Sequence, residues 1–85
     1  MSYRVDILRI AQKQLARVDR QFQLRIIEAI RALAHDPRPH GSMKLSGRAA
    51  MRIRVGAYRV IYEVHDGHLL ILVVALGHRR DVYDR

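Results

Sequence analysis

The 85 residues contain no cysteine, so neither disulfides nor thiolate metal ligands can hold the chain together. No apolar run is long enough to cross a bilayer. The opening stretch, MSYRVDILRI, is broken by charge too often to read as a secretory signal, and a cytoplasmic location with no membrane partner is the expectation. A phosphate-cradling glycine loop, carboxylates paired for acid–base work and a nucleophile elbow are all missing. His65 and His68 flank a turn without a third ligand, so no metal and no cofactor is expected. Any chemistry must then run on arginine, histidine and tyrosine.

Acidic residues are also scarce where it matters. Sixteen Lys and Arg oppose eight Asp and Glu, a net charge of +8. Between Asp36 and Glu63 there is no acid at all, while Arg38, Lys44, Arg48, Arg52, Arg54 and Arg59 all fall there. Charge that is unbalanced over one stretch marks a face for a polyanion, nucleic acid first and an acidic protein second. The apolar content of 49% excludes disorder, and the length predicts one domain spanning residues 1–85.

What remains is a strand, a helical hairpin and a sheet. Tyr3, Val5 and Ile7 alternate with Arg4 and Asp6, the period of a half-buried strand. Ala11, Leu15 and Val18 follow at helical spacing, Asp19 stands where a second helix would be capped, and Phe22, Ile26, Ile30 and Leu33 share that helix's face. Pro37 and Pro39 end the hairpin. Met51, Ile53 and Val55, then Tyr58, Val60, Tyr62 and Val64, restore period two, and the run LLILVVAL (69–76) is apolar on both faces, as an interior strand must be. The predicted class is α+β: an N-terminal strand and an antiparallel helical hairpin packed on one face of a four-stranded, mostly antiparallel sheet.

Counting register locates the charge. A two-residue turn at Gly56-Ala57 pairs 55 with 58, 54 with 59 and 52 with 61. A two-residue turn at Asp66-Gly67 pairs 64 with 69, 62 with 71 and 60 with 73. The even-numbered residues of the first strand and the odd-numbered ones of the second then leave Arg52, Arg54 and Arg59 on the face the helices do not cover, beside Ile61, Leu70, Leu72 and Val74. Arg54 opposite Arg59 is a destabilising pair unless an anion lies between them. Guanidinium groups stay charged and grip phosphate through parallel N–H bonds. The tail GHRRDVYDR leaves the interior strand at the same end of the sheet and could add His78, Arg79, Arg80 and Tyr83 to that face. Histidine exchanges protons near neutrality, and tyrosine stacks on bases. Such a set suits phosphodiester cleavage by an internal nucleophile, where positioning and charge stabilisation supply much of the rate.

Taken together, K-L-x-G at 44–47, R-x-G-x-Y-R-V-I-Y at 54–62 and the closing G-H-R-R-x-V-Y at 77–83 resemble the RelE/ParE superfamily of type II toxin-antitoxin toxins, on the RelE side. The resemblance covers essentially the whole chain and implies the RelE-like microbial ribonuclease fold. It implies a toxin that enters the ribosomal A site and cuts mRNA there, the RNA's 2′-hydroxyl attacking the adjacent phosphate. Arg52 and Arg54 stand where well-studied members carry basic residues that act on the 2′-hydroxyl and the phosphate. Arg59 matches a phosphate-binding arginine, Arg79 one that stabilises the transition state, and Tyr83 the tyrosine that stacks on or orients a base. Lys44 and Arg48, with Arg38 and Arg80, are expected to grip RNA and the ribosome through its 16S rRNA. Arginine hardly deprotonates at neutral pH, which makes His78 the candidate proton acceptor. The implied partners are the ribosome, mRNA and a cognate antitoxin, RelB-like or other, in a toxin–antitoxin hetero-oligomer. Two other readings share these features: a ParE-like poison of DNA gyrase, and a catalytically inactive basic module that binds nucleic acid or a protein partner.

Overall fold

The computed structural model describes residues 2–47 and 49–78. Strand β1 (Arg4–Ile7) leads into helices α1 (Arg9–Ala16) and α2 (Arg20–Ala32). Four strands follow: β2 (Met43–Lys44), β3 (Met51–Val55), β4 (Tyr58–His65) and β5 (Leu70–His78). They form one sheet in the order β1-β5-β4-β3-β2, with β1 parallel to β5 and every other neighbouring pair antiparallel. The α+β architecture is as expected, and the apolar run is interior, between β1 and β4. The sheet has five strands rather than four, because Met43 and Lys44 pair with Arg52 and Met51. Two residues carry too little periodicity to announce a strand. No helix among the described residues is long and apolar enough to cross a membrane.

The helical hairpin covers one face of the sheet. Ala11 and Val18 of the first helical segment and Ile26, Ile30 and Leu33 of the second meet Ile53, Val55, Val60, Tyr62, Ile71, Val73 and Leu76, all buried. The face assigned from alternation therefore holds, except that Leu69 sits exposed in the turn. Asp19 occupies the N-cap position of α2 but caps with its backbone carbonyl alone, accepting from the N–H groups of Phe22 and Gln23. The Gln23 side chain closes the joint between helices by donating to the carbonyls of Leu15 and Val18 at 3.2 and 3.1 Å.

At the first hairpin, Val55 pairs with Tyr58 and Gly56 takes φ +59°, as a type II′ turn requires. A Cβ at this glycine would stand 3.0 Å from the Phe22 ring, so the turn and α2 are fitted to each other. The second hairpin departs from expectation. Asp66–His68 forms a short 3₁₀ turn, Leu69 adopts a left-handed conformation, and Val64 pairs with Ile71 instead of residue 69. The cause is tertiary. The Asp66 carboxylate accepts hydrogen bonds from Tyr3 Oη at 2.5 Å and Arg38 Nη2 at 2.9 Å, and the Leu69 carbonyl accepts from Arg4 N–H to start the parallel pairing. These contacts outweigh the local Asp-Gly preference.

A bulge between Ile61 and Tyr62 then shifts the ladder once more. Tyr62 pairs with Val73, but Ile61 pairs with Ala75 and Val60 with Leu76, which turns Leu76 into the core. The Leu76 N–H is taken by Gln14 Oε1 at 2.9 Å, which ties α1 to β5 just past the irregularity. Replacing Gln14 with Leu keeps the volume but orphans that N–H, and should cost roughly 1–3 kcal/mol in urea denaturation. An unchanged midpoint would mean that the bond holds nothing.

The Tyr3–Asp66–Arg38 knot adds a pH dependence. The hydrogen bonds from Arg38, first, and Tyr3, second, hold the Asp66 carboxyl below the usual carboxylate range. Its stabilising contribution is full above the unfolded-state pKa and is lost as pH falls through the lower folded value. Asp66→Asn should therefore flatten the acid limb of stability between about pH 5 and pH 2. Parallel acid limbs for the two proteins would remove Asp66 from this account.

Candidate functional site

The site is built on the sheet face away from the helices. Arg54 of β3 and Arg59 of β4 are direct partners in the ladder, and the next residue across, on β5, is Gly77. Arg54 is exposed and Arg59 half-buried. Gly77 adds no side chain of its own beside Arg59. One row further in, Arg52 stands opposite Ile61, which pairs with Ala75.

Arg52 does not project into solvent as the alternation suggested. It is only 5% exposed, and its Nη2 donates to the sulfur of Met43, its partner across the ladder to β2. The reason is the segment between β2 and β3. Leu45 N–H donates to the Ala50 carbonyl, and both side chains pack with Ile61 against Val74 and Ala75, forming a second small core on this face. The segment roofs the inner end of the arginine row. Arg52 therefore lies beneath the outer surface of this face, while Arg54 and Arg59 are open to solvent to different degrees.

The remaining predicted residues scatter. His78 pairs with Tyr58, and the two rings meet edge to face at 5.9 Å between centroids. Tyr58 also packs on Phe22 beside the main core, so His78 is on the helix-side face, opposite to Arg54 and Arg59. There it lines an open cleft of about 340 Å³ with Gln14, Arg17, Val18, Tyr58, Leu76 and Gly77. The placement of His78 corrects its expected position on the arginine face: the bulge shifts β5 by one residue and sets its parity.

Arg38 and Lys44 come together at the other end of the sheet, around a cavity of about 200 Å³ with Ala49, Ala50, Met51 and Val64. Lys44 pairs with Met51, three residues along β3 from Arg54, a separation of roughly 10 Å. Arg38 is already engaged by Asp66. Arg48, Arg79, Arg80 and Tyr83 lie outside the described residues. Two parts of the site escaped the sequence reading. The Gly77 neighbour of Arg59 was hidden by the longer second turn and the bulge, and the Met43 partner of Arg52 by the shortness of β2. Among the described residues, no group of three or more His, Asp or Glu side chains converges as a metal site would.

Comparison with known proteins places this architecture. Residues 5–83 match the family described as the ParE toxin of the type II toxin-antitoxin system parDE. The chain belongs to the RelE/ParE family of type II toxins. A RelE-like toxin protein of Escherichia coli is 30% identical over 89 residues, covering 99% of this chain and 93% of that protein. The RelE solved in an archaeal RelE–RelB complex from Pyrococcus horikoshii is 31% identical, with a TM-score of 0.83 over 96% of this chain and 100% of that one. The toxin–antitoxin complex RelBE2 of Mycobacterium tuberculosis shares the fold at 21% identity, with a TM-score of 0.78 over 93% of this chain and 100% of that one.

The arginine pair of this RelE/ParE-family toxin has a measurable signature in the isolated protein. Like charges directly opposite on a ladder destabilise it, so Arg54→Glu should raise stability by ~0.2–1 kcal/mol, and added salt should shrink the gain. A variant less stable than the parent at low salt would show that Arg54 is held by attractions that outweigh the repulsion.

Proposed function

We propose that this toxin is a ribosome-dependent endoribonuclease that cuts mRNA in the A site. The observation that carries the reading is the Arg54–Arg59 pair, flanked on β5 by the side-chain-free Gly77, on a face that the helices leave open. The RNA supplies the nucleophile. Its 2′-oxygen attacks the adjacent phosphorus and loses its proton, and the bond to the 5′-oxygen breaks. That oxygen gains a proton, leaving a 2′,3′-cyclic phosphate and a 5′-hydroxyl.

Negative charge grows on the phosphoryl oxygens as the new bond forms. Arg59 binds the phosphate, Arg54 closes on it from the neighbouring strand, and Arg79 stabilises the transition state. Arg52 adds positive potential from the roofed end of the row, where low polarity strengthens it. Tyr83 orients a base. Since the His78 ring lies against Tyr58 on the opposite face, the arginine face works by positioning and charge. Precise placement of the 2′-hydroxyl by the ribosome then becomes the other half of catalysis. Lys44 and Arg48, with Arg38 and Arg80, grip RNA around it.

The relatives solved with RelB support a cognate antitoxin for this chain as well. In our reading the antitoxin covers the arginine face with carboxylate and apolar groups, the latter meeting half-buried Leu70, Leu72 and Val74. The description of the matched family as the ParE of parDE favours one rival, a gyrase poison on the same fold.

The experiment is end-mapping of mRNA on programmed ribosomes with purified toxin. New 5′-hydroxyl ends inside the A-site codon are expected, and Arg59→Ala should reduce them by about a hundredfold or more, the scale of losing one preorganised charge contact. Intact mRNA from folded protein that still arrests growth would sink the ribonuclease reading, and growth arrest that survives Arg59→Ala would favour gyrase.

A further inference from the structure

The arginine face accounts for only part of the positive charge. Helix α1 turns Ala11, Gln14 and Leu15 to the sheet. At 3.6 residues per turn its opposite side carries Arg9 and Lys13, with Arg17 at the C-cap one turn on and Arg20 opening α2. All four are exposed. Arg9, Lys13 and Arg17 follow one another every fourth residue, a ridge about 12 Å long.

Among the described residues, counter-charge is nearly absent from this ridge. Asp6 is paired with Arg4, Asp66 with Arg38 and Glu63 with His65, all on the sheet or its loops. Asp19 is the sole acid between Asp6 and Glu28, and it sits at the ridge's far end between Arg17 and Arg20. Because the helices cover one face of the sheet and Arg54 and Arg59 occupy the other, the molecule presents positive charge on two opposite sides.

We propose that the α1 ridge binds the phosphate backbone of double-helical RNA while the arginine face holds the strand to be cut. The proposal rests on the ribonuclease reading and extends it from one RNA segment to two. Charge complementarity selects a polyanion, and the residue types select its form. Proteins that hold single strands stack bases on aromatic rings, and residues 9–17 contain none. Duplex RNA, whose deep major groove hides its base edges, is held by shape and by phosphate and 2′-hydroxyl contacts, which need only cations at regular spacing on a rigid support. Helix α1, tied to β5 through Gln14, is that support.

The test uses the full-length toxin, a labelled RNA hairpin of fully paired mixed sequence, and an unpaired oligonucleotide of equal length. Affinity is measured against salt. The combined variant Arg9→Gln, Lys13→Gln and Arg17→Gln alters exposed positions only, and a melting curve checks its fold. Each lost phosphate contact should lower the log–log salt slope for the hairpin by about one, so a fall of two to three is expected. Binding of the unpaired strand should change by much less. Arg4→Gln, which removes a charge already balanced by Asp6, should leave the hairpin slope nearly unchanged.

An unchanged hairpin slope in the triple variant would overturn the proposal, as would equal losses on both probes. The proposal would also fail if the triple variant lost affinity for its antitoxin but kept its RNA slope, since the ridge would then be a protein contact. The two readings fail separately. Loss of hairpin affinity in a toxin that cuts no mRNA on ribosomes would keep the ridge and discard the ribonuclease. Normal A-site cutting by a triple variant with unchanged hairpin affinity would do the reverse.

Discussion

Burial of Ile26, Ile30 and Leu33 against Val60, Tyr62, Ile71 and Val73 is the contact on which the rest of the molecule depends. Alternation along a strand leaves no freedom afterwards: once one face of β3 and β4 is committed to the helices, the intervening residues are committed to the other. Arg52, Arg54 and Arg59 are the intervening residues. The core does not merely support the site; it selects which side chains form it. A slip of one residue would bury three guanidinium groups under the helices, which no gain in packing could offset. Core and site therefore enforce the same register from opposite sides of the sheet.

The outer face is graded rather than uniform. At one end the segment carrying Leu45 and Ala50 closes over Ile61 and shields Arg52, whereas at the other Arg54 stays in water. A buried charge feels its neighbours through a medium of low polarisability, and an exposed one is screened within a Debye length. The row thus runs from a shielded guanidinium to one in full contact with water. Two of the described acids of the sheet are engaged elsewhere: Asp66 by Tyr3 and Arg38, and Glu63 by His65.

How far the sequence was legible follows from the range of each interaction. The Arg54–Arg59 pair could be read by counting because a Gly-Ala turn with φ positive at Gly56 sets its register within a few residues. The helical hairpin and its buried stripe were readable for the same reason, since 3.6-residue spacing is local. The second hairpin was not, because Asp66 answers to Tyr3 and Arg38, far away in the chain. The bulge at Ile61/Tyr62 is compensated by a glutamine on α1, and no spacing rule anticipates that. His78 landed on the other face through that one inserted residue, and Gly77 came beside Arg59 through it and the longer second turn together. Arg52 looked exposed from alternation because its cover comes from β2 and the irregular segment after it, which have no pattern of their own.

The strand order carries a consequence in time. Ribosomes deliver β1 first and β5 after the other strands described here, yet β5 is the strand that joins β1 to β4. Until it arrives, the helical hairpin has only half a sheet to cover, and Arg59 has no Gly77 beside it. A chain still in the exit tunnel therefore carries an arginine pair without the β5 neighbour that completes its row. The face is finished only with the last of the described strands, and no earlier stage of synthesis presents it whole.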